Sequence, residues 1–196
     1  MEMIASLGRT LGFSLTSGVN LYATVAILGL AARYDWVPLP PQYEVFASEW
    51  IIGLALFLYA VEFIADKIPW IDTVWDTVHT FVRPVGGALV AMGTVGSASP
   101  TFEVVMALLG GAIAAGSHFT KAGTRVAANT SPEPFSNWAL SLFEDLFVVG
   151  LGILALKYPV AAFVVSVAIL LTIVLTIRWI VRKLRNVRAR RAMVTA

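Results

Sequence analysis

Three side chains that can carry positive charge recur at helical spacing in this 196-residue sequence. His118, Lys121 and Arg125 are separated by three and four residues, which places them on one face of a helix. Because lipid-facing charge is costly, we expect this cationic face to point into a helix bundle or toward water. Such a face can hold a carboxylate or phosphate group. We therefore predict a substrate-binding role for these three residues, together with Asn20 and Asn129. The alternative is an interfacial helix end from which Lys121 and Arg125 snorkel.

Carboxylates inside apolar segments form a second candidate group. Glu62 and Asp66 lie four residues apart, so they share a helix face, whereas Glu144 and Asp145 are adjacent and point about 100° apart. A buried carboxylate needs a cationic partner or a proton. We predict that these acids couple transport to a proton or another ion. One of the second pair can meet the cationic face, since a short loop makes the two helices neighbours. Whether these charges serve function or only the fold stays open.

A third polar pattern follows the second apolar segment. Its members stand at spacings of four, three and four: Asp72, Asp76, His79 and Arg83. Apolar residues occupy another face, so the stretch 67–83 is predicted to be an amphipathic helix at the membrane interface. Pro69 suits its start and Pro84 its end. Either the charges are solvated at the membrane surface, or the helix folds back as a gate over the bundle.

Composition sets the class of protein. The chain is 58% hydrophobic and 13% charged, with a mean hydropathy of +0.81, against about 25% charged residues in soluble domains. It has no cysteine, which excludes disulfides and thiolate chemistry, and only two histidines. HExxH, GxSxG and P-loop motifs do not occur. We therefore expect a polytopic membrane protein, without an enzymatic role, a cofactor or a bound metal.

The hydrophobic pattern predicts an all-α membrane bundle with about six segments. They span about residues 3–32, 45–66, 84–99, 101–129, 138–157 and 159–180. The segment from Pro84 to Ser99 is short and rich in glycine, so it is either a tightly packed crossing or re-entrant. Residues 1–183 form the predicted membrane domain and 184–196 a basic tail. Six crossings put both termini on one side, and the basic residues make that side cytoplasmic. The tail suits anionic lipids rather than nucleic acid.

The two halves of the chain resemble each other weakly. The stretch 17–20, SGVN, corresponds to 115–118, AGSH, and each is followed by a loop with prolines and an apolar helix with acids. A three-helix repeat must insert with opposite orientation, which gives a 3+3 inverted repeat. This plan places Asn20 near His118. The polar patch at Gly18 and Asn20 is then an unwound point that lines a cavity; the alternative is close packing through small residues.

Three long motifs carry a resemblance to a known family. They are SGVNLY, EFIADKIPWIDTVWDTVHTFVRPVGGAL and AGSHFTKAGTRVAANTSPEPFSN. With them the chain resembles a bacterial polytopic membrane family, domain-of-unknown-function family 4126, over nearly all of its length except the tail. The resemblance implies an integral membrane protein with no established activity and brings no residue roles with it. We expect the membrane to be the bacterial inner membrane.

Three functions are compatible with these patterns. The first is a small transporter or flippase for an anionic solute or lipid head group, in which an acid such as Glu62 or Glu144 could carry a coupling proton. The second is an oligomeric channel with a re-entrant glycine-rich segment. The third is a membrane scaffold whose charges are all paired and enclose no cavity. We favour the first.

Overall fold

The computed structural model describes residues 2–68, 70–95, 99–130 and 135–194, and these ranges are helical, without strands. The α-helices are α1 Glu2–Val19, α2 Leu21–Arg33, α3 Glu49–Ala65, α4 Ile71–Val95, α5 Pro100–Ala128, α6 Phe135–Lys157 and α7 Pro159–Val194. A 3₁₀ helix, Pro41–Ala47, precedes α3. The predicted all-α class is confirmed. Four positions of the predictions lie outside the described residues: Pro69 at the start of the predicted amphipathic helix, Gly96 in the segment 84–99, and the loop residues Pro132 and Pro134.

Several helices are long and apolar enough to cross a membrane. Within the described residues these are α5, α6 and the part of α7 from Pro159 to Lys183, and the 3₁₀ helix with α3 makes a fourth if this pair, bent by 61°, is one span. Such helices are typical of a membrane protein. The six predicted crossings are not confirmed.

The distribution of side chains is that of a membrane bundle. On α4, Phe81 is 78% exposed, whereas Arg83 two residues later is fully buried. Leu108 on α5 and Leu146 on α6 are likewise exposed. Large apolar side chains that face outward around a charged interior suit contact with lipid.

The chain reverses at Asn20, between α1 and α2. The near end of the bundle is the end at which α4 and α6 finish and α5 and α7 begin. The far end is the opposite one. The start of α1 lies at the near end, because Gly8 packs on Pro159 and the Thr10 hydroxyl lies 3.0 Å from that of Thr94. The end of α2 also lies there. Arg33 pairs with Glu49 at the start of α3, and the 3₁₀ helix just before Glu49 reaches the end of α4, where Gln42 donates to the Thr94 carbonyl at 3.5 Å. The two helices therefore form a V whose apex is inside the bundle.

This reversal corrects the predicted topology. Residues 3–32 do not form one crossing, because the chain at Asn20 is extended and turns back toward the near end. The start of α1 lies at the near end and α7 runs from there to the far end. The prediction that both termini lie on one side does not fit this arrangement. The hydrophobic pattern of the sequence reports the combined length of α1 and α2 and does not reveal the turn between them.

The prediction of an interfacial helix ending at Pro84 is also wrong. Residues 71–95 form one helix, α4, with Pro84 inside it. Its polar face, from Asp72 to Arg83, is buried in the bundle instead of being solvated. The same continuous helix corrects the re-entrant alternative for 84–95. The glycines there serve close packing: a Cβ on Gly87 would lie 2.4 Å from the Cβ of Ala114 on α5.

Candidate functional site

The apex of the α1–α2 pair brings backbone carbonyl groups to buried cations. The last carbonyls of a helix have no partner within it. Here the Gly18 carbonyl accepts a hydrogen bond from Arg83 Nη1 at 3.2 Å, and the Val19 carbonyl accepts one from Lys121 Nζ at 3.2 Å. The Asn20 side chain caps α2 by accepting from the Ala23 amide at 2.9 Å. These bonds engage groups on both sides of the break, which forms one wall of the site.

Arg83 and Lys121 share the carboxylate of Glu62 on α3. Arg83 Nη2 lies 2.7 Å and Lys121 Nζ 3.3 Å from Glu62 Oε1, and Lys121 Nζ also lies 2.9 Å from Asp66 Oδ2. Arg83 Nη1 lies 3.3 Å from Asp76 Oδ1 on its own helix. The side chains of Arg83 and Glu62 are both fully buried. Such pairs are costly to break, because one partner alone would leave an uncompensated buried charge.

Arg125 joins α5 to α3 and α6. Its Nε and Nη2 donate to both oxygens of Glu144, at 3.1 and 2.5 Å, a bidentate pair. Nη2 also donates to Asp66 Oδ2 at 3.1 Å, and Nη1 to the Asp66 carbonyl at 2.6 Å. Lys121 Nζ lies 3.4 Å from Glu144 Oε2, which links this pair to the previous group. We call the connected set the charge network: Glu62, Asp66, Asp76, Arg83, Lys121, Arg125 and Glu144.

His118 is held in one neutral tautomer beside this network. Its Nδ1 lies 2.7 Å from Arg83 Nη1, and since a guanidinium can only donate, Nδ1 accepts. Nε2 therefore carries the hydrogen and donates to the Thr80 hydroxyl at 3.0 Å. That hydroxyl in turn donates to the Asp76 carbonyl at 3.0 Å. His118 thus orients Arg83 and carries no charge of its own.

His79 lies on α4, one turn before Arg83, and is also hydrogen-bonded at both ring nitrogens. Its Nδ1 donates to the Trp75 carbonyl at 2.7 Å, and its Nε2 is hydrogen-bonded to the Tyr22 hydroxyl at 2.9 Å. The hydrogen bond joins α2 to α4 next to the apex. His79 therefore positions helices and does not itself lie in the charge network.

Asn129 anchors the far end of the site. Its amide nitrogen lies 3.0 Å from each oxygen of Asp72, and its side-chain carbonyl accepts from Asn137 at 2.5 Å. These bonds tie α4 to the end of α5 and the start of α6. Asn129 is thus placed among polar partners away from Arg83 and Glu62.

Lys67 and Asp145 lie beside the network rather than in it. Lys67 Nζ, in the turn after α3, donates to the Phe63 carbonyl and to Ser141, and burial lowers the pKa of this side chain. Asp145 is half-buried and bonds the Tyr59 hydroxyl. The adjacent Glu144 points into the network, as the predicted angle between the two acids requires.

The charge network contains one carboxylate more than it has cations. Four acids face three bases, and the carboxylates are not equally satisfied. Glu144 has both oxygens hydrogen-bonded, whereas within the described residues Glu62 Oε2 and Asp66 Oδ1 have no hydrogen-bond partner and Asp76 has none at either carboxylate oxygen. Burial without hydrogen bonds is costly for an ionised carboxylate. The imbalance marks where a proton or another cation would be stabilising.

Two cavities reach the network. One of about 80 Å³ is lined by Asp76, Arg125 and neighbouring residues of α4 and α5. The other, of about 240 Å³, lies between α5, α6 and α7, with Lys121 and Glu144 among mostly apolar lining residues. Among the described residues, no group of three histidine, aspartate or glutamate side chains is placed to hold a metal ion.

The comparison with protein families decides the membership of this chain. A family model described as "Domain of unknown function (DUF4126)" matches residues 7–179. The chain belongs to this family. No curated protein and no solved structure matches the chain. The matched range contains the whole charge network and both cavities of this DUF4126 member.

Most predicted site residues are brought together. Lys121 and Arg125 of the cationic face meet Glu62, Asp66 and Glu144 in the charge network, and His118 lies beside it. Arg83 bridges the Gly18 carbonyl to His118, which places the apex beside His118. Two residues of the stretch predicted as a gate, Asp76 and Arg83, are instead members of the charge network. Sequence reasoning missed the carbonyls of 18 and 19, which carry no side-chain signal. It also missed Thr80, although Thr80 follows Asp76 by one helical turn.

Proposed function

We propose that this DUF4126 member is a small membrane transporter that moves an anionic solute or a lipid head group. The observation that supports it most is the buried charge network at the apex of a broken helix pair. In membrane carriers, broken helices present unwound carbonyls and helix ends to substrates and coupling ions inside the bilayer. Here the carbonyls of Gly18 and Val19 contact the cations that would meet an anion.

Proton coupling follows from the charge balance. Lys121 and Arg125 are already paired, so an anion can bind them only if a carboxylate leaves. Protonation of a network acid weakens its hold on the cation and releases a donor. Substrate and proton would then bind together, because each lowers the cost of the other. The network is the element with two arrangements that such coupling requires.

The cavity between α5, α6 and α7 supports a lipid head group within this class. Lys121 and Glu144 lie at its inner side, while Phe143 at its outer side is 67% exposed. An amphiphile could keep its chain among the apolar residues and present its head to the network. The proposal assigns no catalytic step to the chain.

The alternative functions have less support. The channel relied on a re-entrant segment at 84–99, but residues 84–95 belong to α4. The scaffold required complete pairing and no cavity, whereas the Asp76 carboxylate has no hydrogen-bond partner among the described residues and two cavities adjoin the network. The inverted repeat stays a proposal: the chain breaks at Asn20, while α5 is continuous through 115–118.

For the membrane we propose the bacterial inner membrane, with the basic far end of α7 in the cytoplasm. Arg178, Arg182 and Lys183 are exposed on that helix and suit anionic lipids. Because α1 starts at the near end, the proposed orientation places its start on the opposite side. The division at residue 183 stays a prediction, since α7 runs on to Val194. A homo-oligomer is compatible with the proposal.

Reconstituted vesicles test the function. The full chain is placed in vesicles with an imposed pH gradient, and the flipping of a fluorescent phosphatidylglycerol analogue and the uptake of organic carboxylates are measured. We expect movement of one probe that depends on the gradient and is lost in Lys121→Ala and in Glu144→Gln. Equal rates in these variants and the original chain, or no movement of either probe class, would contradict the proposal.

A further inference from the structure

Asp76 is the least satisfied acid of the charge network. It is 4% exposed, and neither carboxylate oxygen has a hydrogen-bond partner in the part of the chain that the structure describes. Its one close charge is Arg83 Nη1 at 3.3 Å, but that nitrogen donates to the Gly18 carbonyl and to His118 Nδ1. Arg83 Nη1 therefore lies close to the Asp76 carboxylate but directs its hydrogen bonds to the other two acceptors. An ionised carboxylate in this position loses hydration without gaining equivalent bonds.

The smaller cavity gives this carboxylate a route to water. Its lining is polar on the α4 side and mixed on the α5 side: Thr73, Asp76, Thr77, Thr80, Ala122, Arg125 and Val126. Its volume of about 80 Å³ accommodates two or three waters at about 30 Å³ each. Thr77 on the rim is exposed. The three threonines supply hydroxyl groups along one side of α4, so water there would have polar partners.

The charged and titratable groups around Asp76 lie on α3, α4, α5 and α6. They are Glu62 on α3 and Asp66 directly after it, Asp72, His79 and Arg83 on α4, His118, Lys121 and Arg125 on α5, and Glu144 on α6. His118 is held neutral because its Nδ1 accepts from Arg83, and His79 is hydrogen-bonded to the Trp75 carbonyl and the Tyr22 hydroxyl. Two guanidinium groups, Arg83 and Arg125, flank the carboxylate and cavity, which opposes a metal cation there. A proton needs no ligand shell and removes the one excess negative charge of the network.

We infer that Asp76 is the proton-accepting site of the network and that the small cavity is the water-filled path by which the proton arrives. The proton comes as hydronium from bulk water. It forms an O–H bond on an Oδ atom of Asp76 and leaves a neutral water behind. The carboxyl group then releases Arg83 Nη1, which keeps its bonds to Gly18 and His118. As a coupling step this inference rests on the proposed transport function, and it places the proton at Asp76 rather than at Glu62 or Glu144.

Infrared difference spectra of the full chain in lipid vesicles test the proton site. We expect a band of a protonated carboxyl group to grow as the pH is lowered from alkaline to mildly acidic. Asp76→Asn should lose this band. Asp72→Asn, one turn earlier and hydrogen-bonded by Asn129, should keep it. Absence of the band in the original chain, or its persistence in Asp76→Asn, would overturn the assignment.

Cysteine labelling tests the path without altering the network. The sequence has no cysteine, so one introduced thiol gives a clean signal. A charged, membrane-impermeant thiol reagent should modify Thr77→Cys at the cavity. It should modify Val78→Cys at least tenfold more slowly, because Val78 is 57% exposed on the outer, apolar face. Equal rates at both positions, or no reaction at Thr77→Cys, would overturn the water path.

Neither experiment measures transport. A titrating Asp76 reached by the reagent, in a protein that moves no probe, would leave the proton site standing and remove the proposed function. If the protein transports a probe but shows no infrared band from Asp76, the proposed function stands and the proton site is removed.

Discussion

Removing one partner of the Arg125–Glu144 pair should destabilise the protein strongly. Arg125 donates two hydrogen bonds to Glu144 and contacts Asp66 through both Nη atoms. Its side chain is 1% exposed and that of Glu144 is 10% exposed. Arg125→Met leaves two acids without this cation, and we expect a loss of about 3–5 kcal/mol in the free energy of unfolding. For a chain of this size that corresponds to about 6–20 °C in Tm, at about 2–4 °C per kcal/mol.

A double-mutant cycle separates the pair from the rest of the site. We expect Arg125→Met with Glu144→Met to cost less than the sum of the two single changes, because the double variant leaves neither member of the pair unmatched. Unfolding in mixed micelles of increasing denaturing detergent, followed by tryptophan fluorescence, measures each corner of the cycle. The coupling should amount to several kcal/mol.

The chain contains a matched control for this cycle. Arg33 and Glu49 form an ion pair whose side chains are 39% and 74% exposed. The same cycle there should give a coupling of about 0–1 kcal/mol. If the Arg125–Glu144 cycle also gives a value in that range, the network is hydrated and the reasoning from burial is refuted.

Three further predictions concern the apex and the direction of the chain. Gly18→Ala should destabilise the protein by about 1–3 kcal/mol in thermal unfolding, because the added Cβ would lie 2.2 Å from the Ala114 carbonyl oxygen. Gly116→Ala is the control: an added Cβ there meets open space, so this variant should be neutral or stabilising. Asn20→Ala should cost about 1 kcal/mol by removing the cap of α2, and Asn20→Asp should retain most of it; equal losses would argue against the cap. Met3→Cys and Asp35→Cys should react with an impermeant maleimide from the same side of oriented vesicles, since α1 and α2 reverse at Asn20, and labelling from opposite sides would contradict the V arrangement.

The all-helical class and much of the site could be predicted because both depend directly on the polarity and charge of the side chains. Apolar runs of sufficient length mark helices that suit a membrane. Charges within those runs must find one another, and the spacing of Lys121 and Arg125 indicated the face on which they would do so. Glu62, Asp66 and Glu144 are the nearby acids, so their convergence on that face follows from electrostatics.

The path of the chain was less predictable because backbone geometry decides it. The residues from Ser14 to Asn20 indicate a weak point in a helix, yet they fit both a packed helix and a reversal. Only tertiary contacts, such as Gly8 on Pro159, distinguish the two. Pro84 was a misleading signal: proline usually ends a helix, but α4 continues through it and buries Arg83 just before it.

One measurement tests most directly whether the charge network carries transport rather than only stability. The Arg125→Met, Glu144→Met variant replaces the bidentate pair by apolar side chains, which a buried site often tolerates without loss of stability. Its transport of the phosphatidylglycerol analogue and of organic carboxylates is compared with that of the original chain in vesicles with a pH gradient. We predict a folded protein whose proton-driven transport is lost. Transport at the original rate in the folded variant would contradict the account and leave the network as part of the fold alone.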